Sequence, residues 1–179
     1  MGILKGTVAI VTGAASGIGA GTARLFVEEG ARVLLVDIQD EKGQQLAEEL
    51  GGSAEYLHTD VSQDVDIKTM ITHTIDTFGR LDCLVNNAGI VGDGGSISTI
   101  PVESFNQTIG VLLRGVFLGM KYASRVMKRQ GTGSIISTSS IAGLRTGYGP
   151  HIYSAAKAAV IHLTRSVAME LGEHGVRVN

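Results

Sequence analysis

Strand-length apolar runs alternate with longer amphipathic stretches along this chain, and that alternation restricts the fold more than any single motif does. Thr7–Val11, Arg32–Val36, Glu55–His58, Cys83–Val85 and Ser134–Ser137 are rich in β-branched or large apolar residues and predict strands. Ile18–Glu29, Glu41–Leu50, Asp64–Phe78, Val102–Arg129 and Ile152–Leu171 predict helices, with Gly30, Gly51, Gly79 and Gly131 where helix C-terminal caps belong. The strands are apolar throughout instead of alternating, as expected when helices cover both faces of a parallel sheet. The expected fold is therefore a doubly wound α/β sheet in three layers. No linker, repeat or composition shift divides it, so residues 1–179 are expected to form one domain.

Composition narrows the function classes. Fifteen basic and 17 acidic residues are interspersed for a net charge of -2, which leaves no basic stripe for nucleic acid and no polybasic membrane patch. The apolar run near the start breaks at Thr12-Gly13, too early for a secretory signal core and too short for a membrane span. One cysteine, Cys83, lies in an apolar run and predicts a buried thiol in a reducing compartment, with the cytoplasm as the expected location. The five histidines show no paired-ligand spacing and no cysteine cluster joins them, so no metal site is expected. Glycine is the outlier: 25 glycines with 2 prolines and no low-complexity tract point to tight backbone turns.

The most specific of those turns is Thr12-Gly13-Ala14-Ala15-Ser16-Gly17-Ile18-Gly19, which follows the first predicted strand and opens the first helix. Gly13 permits the tight turn, Gly17 lets a pyrophosphate approach the backbone, and Gly19 allows the helix to pack close to the strand. The helix N-terminus adds free N–H groups and a positive dipole end. Gly13, Ser16, Gly17, Ile18 and Gly19 are thus candidate cofactor-binding residues of a Rossmann-type dinucleotide unit. The spacing G-x-x-x-G-x-G departs from the commoner G-x-G-x-x-G. Asp37 ends the second strand, where its two acceptor oxygens suit the 2′ and 3′ hydroxyls of an adenosine ribose and repel a 2′-phosphate. NAD is accordingly expected over NADP, and the task of capping the next helix falls to Asp40.

Polar stretches also end the third and fourth strands: Asp60-Val61 and Asn86-Asn87-Ala88-Gly89. The ligand crevice of an open α/β sheet lies outside those ends, although turn chemistry alone accounts equally well for Asn-Asn-Ala-Gly. Further on, Tyr153 and Lys157 stand four residues apart on the last predicted helix, which puts an ammonium beside a phenol on one helix face. A neighbouring positive charge favours the phenolate, so the pair suits acid/base chemistry. Among the four tyrosines, only Tyr153 has a lysine four residues on.

Taken together, Thr12-Gly13-x-x-x-Gly17-x-Gly19, Asp60-Val61, Asn86-Asn87-Ala88-Gly89, Ser140 and Tyr153-x-x-x-Lys157 resemble the short-chain dehydrogenase/reductase family, from Gly6 to Asn179. The resemblance implies an oxidoreductase that moves a hydride between NAD and a secondary alcohol or ketone. It implies that Asp60 contacts the adenine, that Val61 contributes its backbone, and that Asn87, Ala88 and Gly89 support the sheet and line the nicotinamide ribose. Of Ser139 and Ser140, the family spacing to the tyrosine selects Ser140 to hold the substrate oxygen. Tyr153 becomes the general acid/base, and Lys157 tunes it while bonding the nicotinamide ribose. A homo-oligomer, dimer or tetramer, is implied as well.

Two features depart from the family pattern. Leu112 occupies the place of an asparagine whose main-chain carbonyl holds a water in the family's proton relay, so turnover is expected to be reduced without being abolished. The family also continues beyond the strand at Val176–Val178, and the sequence is expected to be incomplete at its C-terminal end. The loops near Ile90–Ile97 and Ala142–Ile152 carry few charges beyond Asp93, Arg145 and His151, which favours an uncharged substrate. An NADPH-dependent reductase of carrier-bound 3-oxoacyl chains and a non-catalytic dinucleotide-binding module are the alternatives.

Overall fold

The apolar runs pair side by side into one parallel sheet of six strands: β1 (Val8–Thr12), β2 (Arg32–Asp37), β3 (Ala54–His58), β4 (Cys83–Asn86), β5 (Gly133–Ser137) and β6 (Val176–Val178). Their order across the sheet is β3-β2-β1-β4-β5-β6. Helices α1 (Gly17–Glu28), α2 (Asp40–Leu50), α3 (Asp64–Phe78), α4 (Val102–Ile109), α5 (Gly115–Gln130) and α6 (His151–Gly172) flank it. These elements come from a computed structural model that describes residues 2–179.

The sheet separates two cores, which explains why the central strands are apolar at every position. Ile10, Leu34, Val36, Leu84 and Ile135 face α3, α5 and α6, while Ala9, Val11, Val33, Leu35, Cys83 and Val85 face α1 and α2. Each large side chain buried in this way contributes about 1.5–3 kcal/mol. Burial also raises the Cys83 thiol to about 11. The architecture is the doubly wound Rossmann sheet, with its topological switch between β1 and β4.

The stretch Val102–Arg129 is helical throughout, as expected, but a π-helical turn, Gly110–Arg114, joins α4 to α5. Leu112 lies in that turn, fully buried, and its Cδ2 would stand 3.2 Å from a Cβ added to Gly89. Asp40 does not cap α2. It is the first helical residue, and its carboxylate accepts hydrogen bonds from Tyr56 and pairs with His58, while Asp37 accepts the free N–H groups of Ile38 and Gln39 at 2.8 and 3.1 Å.

Candidate active site

A cleft of about 450 Å³ opens at the carboxyl edge of the sheet, across the switch between β1 and β4. Every residue expected in the site lines it except Gly19 and Ser140. One end is formed by the glycine turn and Asp37, the other by Tyr153, Lys157 and the carbonyl-bearing end of β5 at Thr138.

The three glycines of the turn are held for different reasons. Gly13 has φ +67°, and a Cβ there would meet the Ala88 backbone at 2.8 Å. A Cβ on Gly19 would lie 2.0 Å from the Gly13 carbonyl oxygen, so α1 packs directly on the turn. Gly17 has φ +53°, and a Cβ there would meet nothing within 4 Å, so its bare backbone faces open cleft. Among the described residues no side chain caps α1 at Ser16, and no acidic residue occupies its first turn. Those first-turn N–H groups are left without a side-chain partner, an arrangement that suits an anion. An open backbone at Gly17 beside uncapped helix amides fits a dinucleotide pyrophosphate.

Thr12 and Asn87 brace this turn. The Thr12 Oγ1 accepts from the Asn87 and Ala88 amides at 3.0 Å each and donates to the Val85 carbonyl at 3.2 Å. Asn87 Nδ2 donates to the Thr12 and Gly13 carbonyls at 3.0 and 3.4 Å. Asn87 and Ala88 are thereby fixed from β1. The sequence contained a signal for Thr12, the lone polar residue closing an apolar strand, but its partners lie about 75 positions away.

Asp37 is buried with its carboxylate turned inward to the turn and the following loop. Its Oδ2 accepts the Ala15 amide at 3.0 Å, and its Oδ1 accepts the Ile38 and Gln39 amides. Gln39 Nε2 also donates to Oδ1 at 3.3 Å, so the acceptor site left for a ribose hydroxyl is on Oδ2. Asp60 accepts the Ser62 amide at 2.9 Å and the Gln63 side chain at 3.5 Å. Partial burial would raise its carboxyl, but these hydrogen bonds outweigh that and hold it below its ordinary value.

At the other end the α6 pair comes together as its spacing implies. Lys157 is 5% exposed, and its Nζ stands 5.8 Å from the centre of the Tyr153 ring. The ammonium donates to the Thr138 carbonyl at 2.6 Å, and burial lowers its affinity for the proton. Ser139 and Ser140 differ in commitment: the Ser139 hydroxyl donates to the Lys157 carbonyl at 2.9 Å. The Ser140 oxygen accepts the Ala142 amide at 3.2 Å, leaving its proton free to donate. Ser140 stands outside the cleft wall, half-buried, at the head of the short helical turn Ile141–Gly143. Gly143 lets that turn rest on α6, since a Cβ there would lie 2.7 Å from the Lys157 backbone. Val36 and Leu112 line the cleft too, with Ile90 and Val91 of the loop noted in the sequence, while Ile38, Gln39, Thr59 and Val111 carried no sequence signal beyond their positions at element ends.

Among the described residues no group of three His, Cys, Asp or Glu side chains is arranged to hold a metal ion. None of the described helices is long and apolar enough to cross a membrane.

A profile of the short chain dehydrogenase family matches residues 7–179. Zerumbone synthase of Zingiber zerumbet is 48% identical over 179 residues, covering 98% of this chain and 67% of that protein. (+)-Borneol dehydrogenase 2 of Salvia officinalis is 47% identical, covering 98% and 63%. The chain therefore spans about two thirds of the length of these relatives. The solved structure of a 3-ketoacyl-(acyl-carrier-protein) reductase from Brucella melitensis complexed with NADH superposes with a TM-score of 0.94 at 32% identity, over 98% of this chain and 74% of that one. Fold, cleft geometry and these similarities agree: the chain belongs to the short-chain dehydrogenase/reductase family.

Proposed function

We propose that this chain, as one dinucleotide-binding unit, is an NAD(H)-dependent oxidoreductase acting on a secondary alcohol or ketone, with Tyr153 as its general acid/base. The observation that carries this reading is the joining of Tyr153 and buried Lys157 to the open Gly17 turn and Asp37 by one continuous cleft. Gly13, Ser16, Gly17, Ile18 and Gly19 would hold the pyrophosphate, Asp37 the adenosine ribose, Asp60 and Val61 the adenine, and Asn87, Ala88, Gly89, Tyr153 and Lys157 the nicotinamide ribose. The bound dinucleotide supplies the hydride acceptor, or in the reverse direction the donor.

In the oxidation direction, ionised Tyr153 accepts the proton of the substrate hydroxyl, and in reduction the same hydroxyl returns it to the carbonyl oxygen. Lys157, held by the Thr138 carbonyl and almost fully buried, sets its ammonium 5.8 Å from the centre of the Tyr153 ring, where its charge is poorly screened. Ser140, with its proton uncommitted, donates to the substrate oxygen and stabilises negative charge on it. Val91 lines the cleft and is exposed, Leu144 and Tyr148 are exposed in the loop before α6, and Asp93, Arg145 and His151 are the charged groups and histidine of these loops, which supports an uncharged, largely apolar substrate. The alcohol dehydrogenases among the relatives agree with that class. Leu112 leaves the main-chain carbonyl of the family's asparagine in place and removes its amide, which supports slowed turnover.

A carrier-bound 3-oxoacyl substrate is the second reading, resting on the ketoacyl reductase neighbour. Fluorescence titration with NADH and NADPH, followed by turnover on secondary alcohols, ketones and a 3-oxoacyl thioester, separates the readings. Tighter NADH binding with turnover on an apolar alcohol is expected. Preference for NADPH with turnover on the thioester supports the second reading, and NADH binding with no turnover on any substrate supports a binding module. The buried Cys83 thiol suits a cytoplasmic setting, and exposed Phe105, Phe117 and Met169 on α4, α5 and α6 suit self-association.

A further inference from the structure

Next to the Asp37 end of the cleft, adjoining its lining residues Gln39 and Thr59, stands a hydrogen-bonded cluster that the reaction does not use. His58 ends β3 directly opposite Asp37 of β2 in the parallel register. Its Nδ1 pairs with Asp40 Oδ1 at 2.7 Å, and the same oxygen accepts the Tyr56 hydroxyl at 2.7 Å. Tyr56 Oη also lies 2.8 Å from the Asp37 main-chain oxygen, so the cluster is tied to the backbone of the expected ribose ligand. It is locked from the other side by Gly43 of α2, where a Cβ would lie 2.1 Å from the Tyr56 ring.

The charges facing His58 are mostly negative. Asp40 approaches from α2, Asp60 from the turn after β3, and Asp66 from α3, where its carboxylate accepts the Asp60 amide at 2.9 Å, while Asp37 is the neighbouring residue of β2 in the register. Lys42 is the nearby cation on α2, and its ammonium is folded back onto the Gln39 side chain at 2.7 Å. Loss of the His58 proton therefore makes this rim one charge more negative, beside the carboxylate that would meet the 2′ position of a bound nucleotide.

We propose that His58, paired with Asp40, sets how strongly the cleft rejects a 2′-phosphorylated dinucleotide, so that discrimination between NADH and NADPH sharpens as the imidazole loses its proton. This rests on the dinucleotide reading of the cleft. A 2′-phosphate carries close to two negative charges above about pH 6, and a free 2′-hydroxyl carries none, so a change of one charge at the rim acts on NADPH far more than on NADH. His58 is the group positioned to make that change near neutrality. The hydrogen bond to Asp40 holds its imidazolium above its ordinary value, with the charges of Asp40, Asp66 and Asp60 adding to it and desolvation opposing it. Protonated His58 thus weakens rejection at lower pH, and neutral His58 restores the full acidic field at higher pH. His58 and Asp40 are 55% and 56% exposed, so solvent and salt screen the effect. The expected size is about two- to fourfold in the affinity ratio at low salt.

The test is the ratio of NADPH to NADH dissociation constants, measured by fluorescence on this chain from about pH 6.5 to about pH 9. In the unaltered chain the ratio is expected to rise about two- to fourfold across that range. His58→Asn should give a high, flat ratio, and His58→Lys a low, flat one because its charge persists. Asp40→Asn should move the rise to lower pH. A flat ratio in the unaltered chain, or an unchanged slope in His58→Asn, overturns the inference while leaving NADH preference intact. Absence of NADH binding at every pH overturns both this inference and the dinucleotide reading.

Discussion

Alanine at Gly19 and alanine at Gly17 should fail in opposite ways, because the first glycine is needed by the fold and the second by the ligand. A Cβ on Gly19 would sit 2.0 Å from the Gly13 carbonyl oxygen and 2.8 Å from Asn87 Nδ2. The first of these is backbone, so relief requires α1 and the turn to separate by at least about 1 Å, a large shift for close-packed structure. Separation breaks the Asn87 bonds to the Thr12 and Gly13 carbonyls, at about 1 kcal/mol each, and adds about 1–3 kcal/mol of overpacking strain. Gly19→Ala is therefore expected to destabilise the chain by about 3–5 kcal/mol, a fall in Tm of roughly 6–20 °C for a chain of this length. A Cβ on Gly17 would meet nothing, leaving only about 1–2 kcal/mol for an L-residue at φ +53°. It would, however, project into the cleft where a pyrophosphate must approach, so NADH affinity should fall at least about tenfold, or about 1.4 kcal/mol. Urea unfolding and NADH fluorescence titration measure the two effects. Equal stability losses in the two variants, or a Gly17→Ala variant that binds NADH normally, would refute the division of labour within the turn.

Asn87→Ala removes two hydrogen bonds to the glycine turn and should cost about 1–3 kcal/mol in urea unfolding, with weaker NADH binding; undiminished affinity would detach the turn from the β4 end. Leu112→Asn puts an amide into a fully buried site and should lower stability by about 2 kcal/mol while raising kcat on a substrate the chain turns over; an unchanged or lower kcat contradicts the account of slowed turnover. Cys83, buried and with its thiol raised to about 11, should resist iodoacetamide at pH 8 in the folded chain and react in urea; equal rates would contradict its burial.

Much of this arrangement was legible in the sequence, and the parts that were not share a cause. Strands with both faces covered are apolar throughout, and Asp64–Phe78 emerges as α3 with the bounds its periodicity predicts. The glycine turn was legible because each glycine answers a local demand, a positive φ at Gly13 and Gly17 and a close contact at Gly19. The π-helical turn at Gly110–Arg114 was not, since a one-residue change in hydrogen-bond register leaves the apolar pattern intact. Asp40 does not cap because its carboxylate is taken by Tyr56 and His58, which arrive from a neighbouring strand 16 and 18 residues later. Thr12 and Asn87 meet only through the β1–β4 pairing. Local turn chemistry is written in local sequence; the choice of polar partner is made by the sheet.

The claim that Tyr153 does the proton chemistry beside Lys157 is tested most directly by Tyr153→Phe, which removes one hydroxyl and keeps the ring over the ammonium. Turnover of a secondary alcohol with NAD should fall at least about a hundredfold, the smaller end of what a positioned acid/base contributes. NADH affinity should fall by only about two- to tenfold, the worth of one hydrogen bond to the nicotinamide ribose, since the glycine turn and Asp37 are untouched. Turnover equal to that of the unaltered chain would contradict the central claim.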